Sequence, residues 1–193
     1  VLSFSKTNTF GAMEFNGLAN YIDMFQSPEF WKATWNTILF CILTVPVGII
    51  LALLVAILLN AKVKFKSGFR AIYFLPMVCA PAAIAMVWRW MFNGEYGIIN
   101  ALLGTKINWL TSPQTAIVAC AIVAIWSSVG YDAVLLLSGL QSISKSYYEA
   151  ARIDGAGRIK QFFSITLPMI SPTLFVTLIM RMMASLKVYD LIY

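Results

Sequence analysis

Five side chains in or beside the apolar runs of the chain carry groups able to bind a polar solute. They are aromatic rings and carboxylates: Trp126, Tyr131, Asp132, Tyr189 and Asp190. An aromatic face stacks on a sugar ring, and a carboxylate accepts hydrogen bonds from hydroxyl groups. The alternative is that these side chains pack helices together and form hydrogen bonds between them. The residue types alone leave both interpretations open.

Catalytic and metal chemistry find little support in the sequence. The chain contains no histidine, which excludes His-based triads and most zinc sites. Cys41, Cys79 and Cys120 lie in apolar runs without CxxC spacing and are expected to be buried, unpaired small side chains. Gly155 and Gly157 form a lone GxG, and there is no GxxxxGK[ST] phosphate loop. We therefore expect no catalytic residue, no metal site and no cofactor bound by this chain.

The elements that position these residues are predicted to be membrane-spanning helices. Of the 193 residues, 60% are hydrophobic and 11% are charged, whereas a soluble domain has roughly 25% charged residues. A bilayer core requires about 20 apolar residues in a helix. We predict an all-α integral membrane protein with a single domain over 1–193. Its spans are predicted at about 35–59, 70–92, 115–139 and 168–193.

Basic residues orient these spans. The loop 61–70 contains four Lys or Arg residues and the loop 145–160 contains four more, so the positive-inside rule places both in the cytoplasm. The loop 93–113 carries only Glu95 and Lys106 and is predicted to be external. Turn signals predict an irregular extramembrane segment over 1–32. Because the chain starts outside without an initiator Met and stops in an apolar run, we expect a fragment cut at both ends.

Two ionisable residues are predicted at membrane depth, where such groups are candidates for function. Arg181 lies thirteen residues after Pro168, which places it near mid-bilayer at about 1.5 Å per residue. Asp132 falls in the inner half of its span, at a depth that differs by roughly 10 Å. We therefore predict that Arg181 and Asp132 do not pair directly. Lys187 and Asp190 have i, i+3 spacing and are predicted to pair with each other.

The segment from Tyr147 to Pro172 is the longest polar stretch after the N-terminal region, and it lies between two apolar runs. Ser146 is predicted to cap a short helix at about 147–153, with Glu149 completing an S-x-x-E capping box. Gly155 is predicted to end this helix in the left-handed conformation, and a second helix then enters the membrane. A rigid helix on a rigid turn can transmit force to the span that follows. A plain solvated loop is the alternative.

This segment resembles the EAA loop of the permease subunits of bacterial ABC importers. The matching residues are Glu149-Ala150-Ala151, Asp154-Gly155-Ala156, Phe162, Ile165, Leu167-Pro168 and Pro172. The resemblance implies the transmembrane domain of a type I ABC importer, with four of the six expected spans present. It also implies a coupling helix that docks on a cytoplasmic ATPase. The implied ATPase-coupling residues are Glu149, Ala150, Ala151, Asp154, Gly155, Ala156, Leu167 and Pro168.

Matches elsewhere in the chain resemble the carbohydrate-importing branch of that family. They are Phe15, Gly17-Leu18, Asn20-Tyr21, Phe30-Trp31, Asn36-Thr37, Phe74-Leu75-Pro76, Trp88, Gly97, Asn100 and Trp109-Leu110. The resemblance implies a multi-pass permease subunit of the bacterial inner membrane that moves a sugar or related solute. Its implied partners are an extracytoplasmic solute-binding protein, a second, non-identical permease, and ATPase subunits that hydrolyse the ATP. The alternatives are an importer of amino acids or peptides and a secondary transporter.

Overall fold

The computed structural model describes residues 2–7, 13–61, 73 and 75–187. The chain divides into two units, Val1–Leu39 and Phe40–Tyr193. The strands are β1 (Ser5–Thr7) and β2 (Met13–Phe15). The α-helices are α1 (Ala19–Gln26), α2 (Pro28–Asn60), α3 (Pro81–Met91), α4 (Ile98–Leu103), α5 (Pro113–Ser142), α6 (Lys145–Ile153), α7 (Arg158–Gln161) and α8 (Leu167–Leu186). A 3-10 turn covers Leu2–Phe4, and a π turn covers Phe162–Thr166.

The first unit contains an antiparallel hairpin followed by α1. In the hairpin, Ser5 on β1 pairs with Phe15 on β2. The Asn20 side-chain amide donates to the carbonyls of Ser3 and Ser5 at 3.0 and 3.1 Å, which fixes α1 to the hairpin. The prediction of an irregular segment over 1–32 is therefore wrong for the described residues. Among the described residues, the turn signals at Asn16-Gly17 and at Ser27-Pro28 lie between short regular elements.

Three helical stretches in the described part of the chain are long and apolar enough to cross a bilayer. They are Pro28–Asn60, Thr115–Ser142 and Arg158–Leu186. The first two include the predicted spans 35–59 and 115–139. The third begins ten residues before the predicted start at 168, because α7, the π turn and α8 follow one another without a break. The end of the predicted span 168–193 lies outside the described residues.

The predicted span 70–92 is interrupted within the described residues. Residues 75–78 are helical, the helix breaks at Cys79 and Ala80, and α3 begins at Pro81. Ala80 has extended backbone angles, φ −62° and ψ 133°, because a proline ring disfavours the helical conformation in the residue before it. Cys79 is exposed, so its predicted burial is wrong. Cys41 and Cys120 are half-buried.

Small side chains bring three of the helices close together in the second unit. Ala52 and Ala56 of α2 and Ala133 of α5 are buried in one apolar cluster. A Cβ atom on Gly139 would lie 2.8 Å from the Thr173 hydroxyl, so α5 and α8 approach closely at this point. Small residues permit such approaches between membrane helices. The larger side chains that fill the cluster are Val55, Leu59, Leu136, Leu137, Leu140, Ile143 and Ile170.

Candidate functional site

The polar segment between α5 and α8 begins with α6, which starts at Lys145, two residues before the predicted start. Its N-cap is Ser144, whose hydroxyl accepts a hydrogen bond from the Ser146 backbone N–H at 3.4 Å. The predicted capping box of Ser146 with Glu149 is therefore wrong. Ser146 already lies in the first helical turn, whereas Ser144 has the extended backbone, ψ 138°, that a cap requires.

The end of α6 is a tight turn centred on Gly155. Gly155 has φ +74°, which confirms the predicted left-handed conformation. The Ala156 N–H donates to the Ala151 carbonyl at 2.8 Å, and the Gly155 N–H donates to the Arg152 carbonyl at 3.0 Å. These two bonds are the 6→1 and 5→2 bonds of a Schellman motif. Because they satisfy the last carbonyls of α6, the turn is fixed by the backbone itself.

The predicted coupling residues fall into two groups in the structure. Six of them lie on α6 and its turn: Glu149, Ala150, Ala151, Asp154, Gly155 and Ala156. Ala151 and Ala156 are half-buried, and the other four are exposed. Leu167 and Pro168 are separate from these and form the start of α8. The first group is thus placed on a surface that a partner protein can reach.

Two side-chain hydrogen bonds attach α6 and its turn to the following helix. The hydroxyls of Tyr148 on α6 and Thr166 at the end of the π turn are hydrogen-bonded at 2.9 Å. The Gln161 side-chain amide donates to the Ala156 carbonyl at 2.7 Å. Gln161 and Thr166 are both buried. The short helix is therefore fixed to the start of the third apolar stretch at two points.

The π turn has a local cause in the sequence. Within it, the Leu167 N–H donates to the Phe162 carbonyl, five residues earlier. Pro168 follows directly and has no N–H, and its ring would clash with the carbonyl of Ser164 in an ordinary α-helix. A wider turn at this point relieves that clash, and π turns in helices are frequent at functional sites.

A buried ion pair joins α8 to α5 in the second unit. The Arg181 guanidinium Nη1 donates to the Asp132 carboxylate and to the Ser128 hydroxyl. Arg181 is 5% exposed and Asp132 is 4% exposed. The prediction that these two residues do not pair is therefore wrong.

The heights of Arg181 and Asp132 are set by how α5 and α8 lie against each other. The close approach of Gly139 and Thr173 shows which residues of α5 and α8 lie level with each other. Arg181 is eight residues beyond Thr173, about 12 Å, and Asp132 is seven residues before Gly139, about 10 Å. Both residues therefore lie at nearly the same height. Thr173, and not Pro168, lies level with Gly139 at the end of the predicted span 115–139, so a height counted from Pro168 is five residues too large for Arg181.

The helix α2 completes the surroundings of this ion pair. The Arg181 Nε donates to the Thr44 carbonyl at 3.3 Å, and the Thr44 and Ser185 hydroxyls are hydrogen-bonded at 3.1 Å. Gly48 lies against the guanidinium, and a Cβ atom there would overlap it. Among the described residues, every buried side-chain nitrogen and oxygen has a hydrogen-bond partner. The pair thus holds three helices together without an unsatisfied polar group.

The structure describes three of the residues predicted to contact a solute, namely Trp126, Tyr131 and Asp132. Asp132 is buried in the ion pair. Trp126 is 41% exposed and stacks edge-to-face on Trp88, with ring centroids 5.5 Å apart. Tyr131 is exposed to a similar degree. Tyr189 and Asp190 lie outside the described residues, and so does the predicted contact of Lys187 with Asp190.

One buried polar residue organises the loop 93–113, and its type alone did not reveal this role. Asn100 on α4 is 4% exposed. Its Nδ2 lies 2.9–3.3 Å from three backbone carbonyls, those of Asn93, Gly94 and Ile107. Its Oδ1 accepts hydrogen bonds from Trp109 Nε1 at 2.8 Å and from the Thr105 hydroxyl at 3.3 Å. A single side chain therefore holds both ends of the loop.

Replacing Asn100 with aspartate is expected to open this loop. A carboxylate still accepts from Trp109 but cannot donate, and it places negative charge against the carbonyls that the amide satisfied. We expect a loss of about 1–3 kcal/mol of local stability, measured as faster proteolytic cleavage within 93–113. Asn108→Asp, an exposed position in the same loop, is the matched control. Equal cleavage of the two variants would contradict this role for Asn100.

The described residues form three long apolar helices, a buried polar centre, and a short exposed helix that is fixed to one of the apolar helices. This is the structure expected of a transporter's transmembrane domain. Residues 27–193 match the family described as "Binding-protein-dependent transport system inner membrane component". The chain belongs to this family. The prediction of an importer permease from its EAA-type loop is confirmed at this level.

The chain is also similar to permeases of named transport systems. It is 38% identical over 184 residues to the sulfoquinovosyl glycerol transport system permease protein SmoG of Agrobacterium fabrum, covering 93% of this chain and 60% of that protein. It is 39% identical over 183 residues to the trehalose/maltose transport system permease protein MalF of Thermococcus litoralis, covering 93% and 62%. The chain thus spans less than two thirds of the length of these relatives.

A solved structure gives the same result for the fold. The chain matches one chain of a bacterial alginate ABC transporter in complex with an alginate pentasaccharide-bound periplasmic protein, with a TM-score of 0.81 and 28% identity. The match covers 92% of this chain and 65% of that one. The all-α fold class of an ABC importer permease, predicted from the sequence, is confirmed.

Proposed function

We propose that the protein containing this chain is a permease subunit of an ATP-driven importer in the bacterial inner membrane. It forms the membrane path for a sugar or related solute. An extracytoplasmic binding protein delivers the solute, and separate ATPase subunits hydrolyse the ATP, so this chain binds no cofactor. A second, non-identical permease completes the path.

The observation that carries this proposal is the family match over 27–193 combined with the geometry of α6. The relatives are named for sulfoquinovosyl glycerol and for trehalose and maltose, and the solved transporter imports alginate. This common carbohydrate character supports a sugar solute over an amino acid or a peptide. The solved complex with a periplasmic protein supports a binding-protein partner.

The geometry of α6 supports the coupling to a separate ATPase. Its residues Glu149, Ala150 and Arg152 are exposed, and Ile153 is 87% exposed although it is apolar. An apolar side chain beside charged ones on a short, fixed helix is suited to insertion into a groove of a partner protein. The turn at Gly155 holds this helix at a fixed angle to the span that follows it. We propose that ATP-driven closure of the ATPases moves α6 and switches the spans between inward- and outward-facing states.

The double replacement Glu149→Lys with Gly155→Pro is expected to abolish ATPase binding and solute uptake. The first change reverses a charge on the exposed surface of α6. The second is incompatible with φ +74°, because proline fixes φ near −65°. ATPase binding is measured by co-purification of the full-length protein, and uptake by proteoliposomes with maltose, trehalose and an amino-acid mixture as probes.

Gly157→Ala provides the control, because Gly157 has φ −67° and no atom within 4 Å of an added Cβ. This variant should bind the ATPase and transport normally. Persistent co-purification and uptake by the double variant would show that α6 does not couple the two proteins. Uptake of amino acids in place of the two sugars would contradict the sugar class and leave the coupling role intact.

A further inference from the structure

The helix α6 meets the rest of the second unit along one narrow face. All of its residues are exposed except Tyr148 and Ala151, which are three positions apart and lie on one side of the helix. The Tyr148 ring packs against the apolar cluster formed by α2, α5 and α8. Its hydroxyl is the group that contacts Thr166. One side chain therefore provides both the apolar and the polar attachment of α6.

The polar attachments lie at the two ends of the π turn. Gln161, which holds the Ala156 carbonyl, directly precedes Phe162, and Thr166 is the last residue of the turn. A hydrogen bond in a π turn joins residues five positions apart, whereas one in an α-helix joins residues four positions apart. Its conversion to an α turn would shift the register by one residue and rotate the preceding chain by about 100°. The π turn is thus the place where a movement of α6 can be absorbed before it reaches α8.

We propose that the hydrogen bond between the Tyr148 and Thr166 hydroxyls locks the π turn and transmits the movement of α6 to α8. The bond bypasses the turn, since it joins α6 to the residue directly before Leu167, where α8 begins. Tyr148 and Thr166 are positioning residues that contact neither nucleotide nor solute. This inference rests on the proposed coupling of α6 to an ATPase and adds the residues that make the coupling rigid.

The first test measures the distance between α6 and α8. Spin labels are placed at Lys145, at the start of α6, and Phe175, which are both exposed, in a cysteine-free full-length protein assembled with its ATPase. With Tyr148 present, the distance distribution should be narrow and the same in the nucleotide-free and vanadate-trapped states. In Tyr148→Phe, which keeps the ring and removes the hydroxyl, the distribution should broaden and shift between the two states.

The second test measures sugar uptake per ATP hydrolysed, with the maltose and trehalose probes described above. Tyr148→Phe and Thr166→Val should each lower this ratio at least fivefold while co-purification with the ATPase is unchanged. The double variant should be no worse than either single variant, because both remove the same bond. Thr166→Ser keeps the hydroxyl and should therefore have the wild-type ratio of uptake to ATP hydrolysis. Tyr147→Phe, at the exposed neighbouring tyrosine, should behave as wild type.

The outcomes separate this inference from the proposed function. If the wild-type protein binds the ATPase and couples, but Tyr148→Phe keeps the wild-type ratio and a narrow distance distribution, the hydrogen bond does not transmit the movement. If Thr166→Ser is as defective as Thr166→Val, the hydroxyl is not the group that matters and the inference is likewise wrong. A wild-type protein that recruits no ATPase would overturn the proposed function, and the proposed link with it.

Discussion

Replacing Arg181 alone with methionine is expected to destabilise the folded protein by about 3–5 kcal/mol. The change leaves the Asp132 carboxylate buried between apolar helices without its partner. Breaking one side of a buried ion pair costs more than the pair itself contributes, because the remaining charge has lost both its solvent and its counter-ion. In a bilayer, the unpaired carboxylate destabilises every conformation in which the helices remain packed around it.

The double replacement Asp132→Leu with Arg181→Met is expected to recover most of this loss, to within about 1 kcal/mol of the wild type. The neighbouring hydroxyls keep hydrogen bonds of their own when Arg181 is removed. Ser128 donates to the Ala124 carbonyl at 2.7 Å, and Thr44 donates to the Phe40 carbonyl at 2.8 Å. The double variant therefore leaves no orphaned polar side chain in these surroundings.

Thermal unfolding of the full-length protein in detergent, followed by tryptophan fluorescence, measures both effects. The single variant should unfold on the order of 10 °C below the wild type, and the double variant should lie close to the wild type. A double variant as unstable as Arg181→Met would mean that the charges stabilise the packing in their own right. In that case the penalty would not come from an unpaired charge.

The predicted spans 35–59 and 115–139 fall within long apolar helices, because the signal for such a helix is local and additive. A helix of 33 residues such as α2 is about 50 Å long, and its uncharged run is visible in the sequence without knowledge of any neighbour. The break at Ala80 depends on one local clash with Pro81. A proline within an apolar run is, however, tolerated in many membrane helices. Sequence alone does not show which of the two outcomes the neighbouring helices permit.

The ends of α6 show the same contrast on a smaller scale. Gly155 could be predicted because few residues other than glycine adopt a positive φ without strain. The cap could not be placed as well, because Ser144 and Ser146 both carry suitable hydroxyls. The choice between them depends on where α5 ends and how the chain leaves it. That is a property of the packed helices and not of either serine.

The polar centre of the second unit was the least predictable feature. The pairing of Arg181 with Asp132 depends on the relative height of α5 and α8, which the contact of Gly139 with Thr173 fixes. Neither contact leaves a periodic signal in the sequence. Gly48 lies in an uncharged apolar run that gives no sign of a polar neighbour, whereas in the structure its missing side chain is the space that the guanidinium occupies. The identity of this residue therefore follows from a contact with a residue far along the chain.

The second large effect is expected at this glycine. Gly48→Ala places a methyl group where the Arg181 guanidinium lies, and Arg181 cannot move aside without losing Asp132 and the Thr44 carbonyl. Overpacking of this kind costs about 1–3 kcal/mol, and we expect a corresponding fall in the unfolding temperature. Gly48→Val, with two further methyl groups, should fall further.

A double-mutant cycle separates this specific clash from a general intolerance of side chains in α2. In the Asp132→Leu and Arg181→Met background the guanidinium is gone, and the unbranched methionine side chain can adjust to the added methyl group. The cost of Gly48→Ala should therefore fall by at least half in that background, which gives a coupling energy of about 0.5–2 kcal/mol between Gly48 and the Asp132–Arg181 pair. An equal cost in both backgrounds would mean that Gly48 is needed for another reason, such as its position two residues after Pro46 within α2. All of these variants lie away from α6, so ATPase co-purification should stay unchanged wherever the protein remains folded. That result would show that the lost stability comes from helix packing.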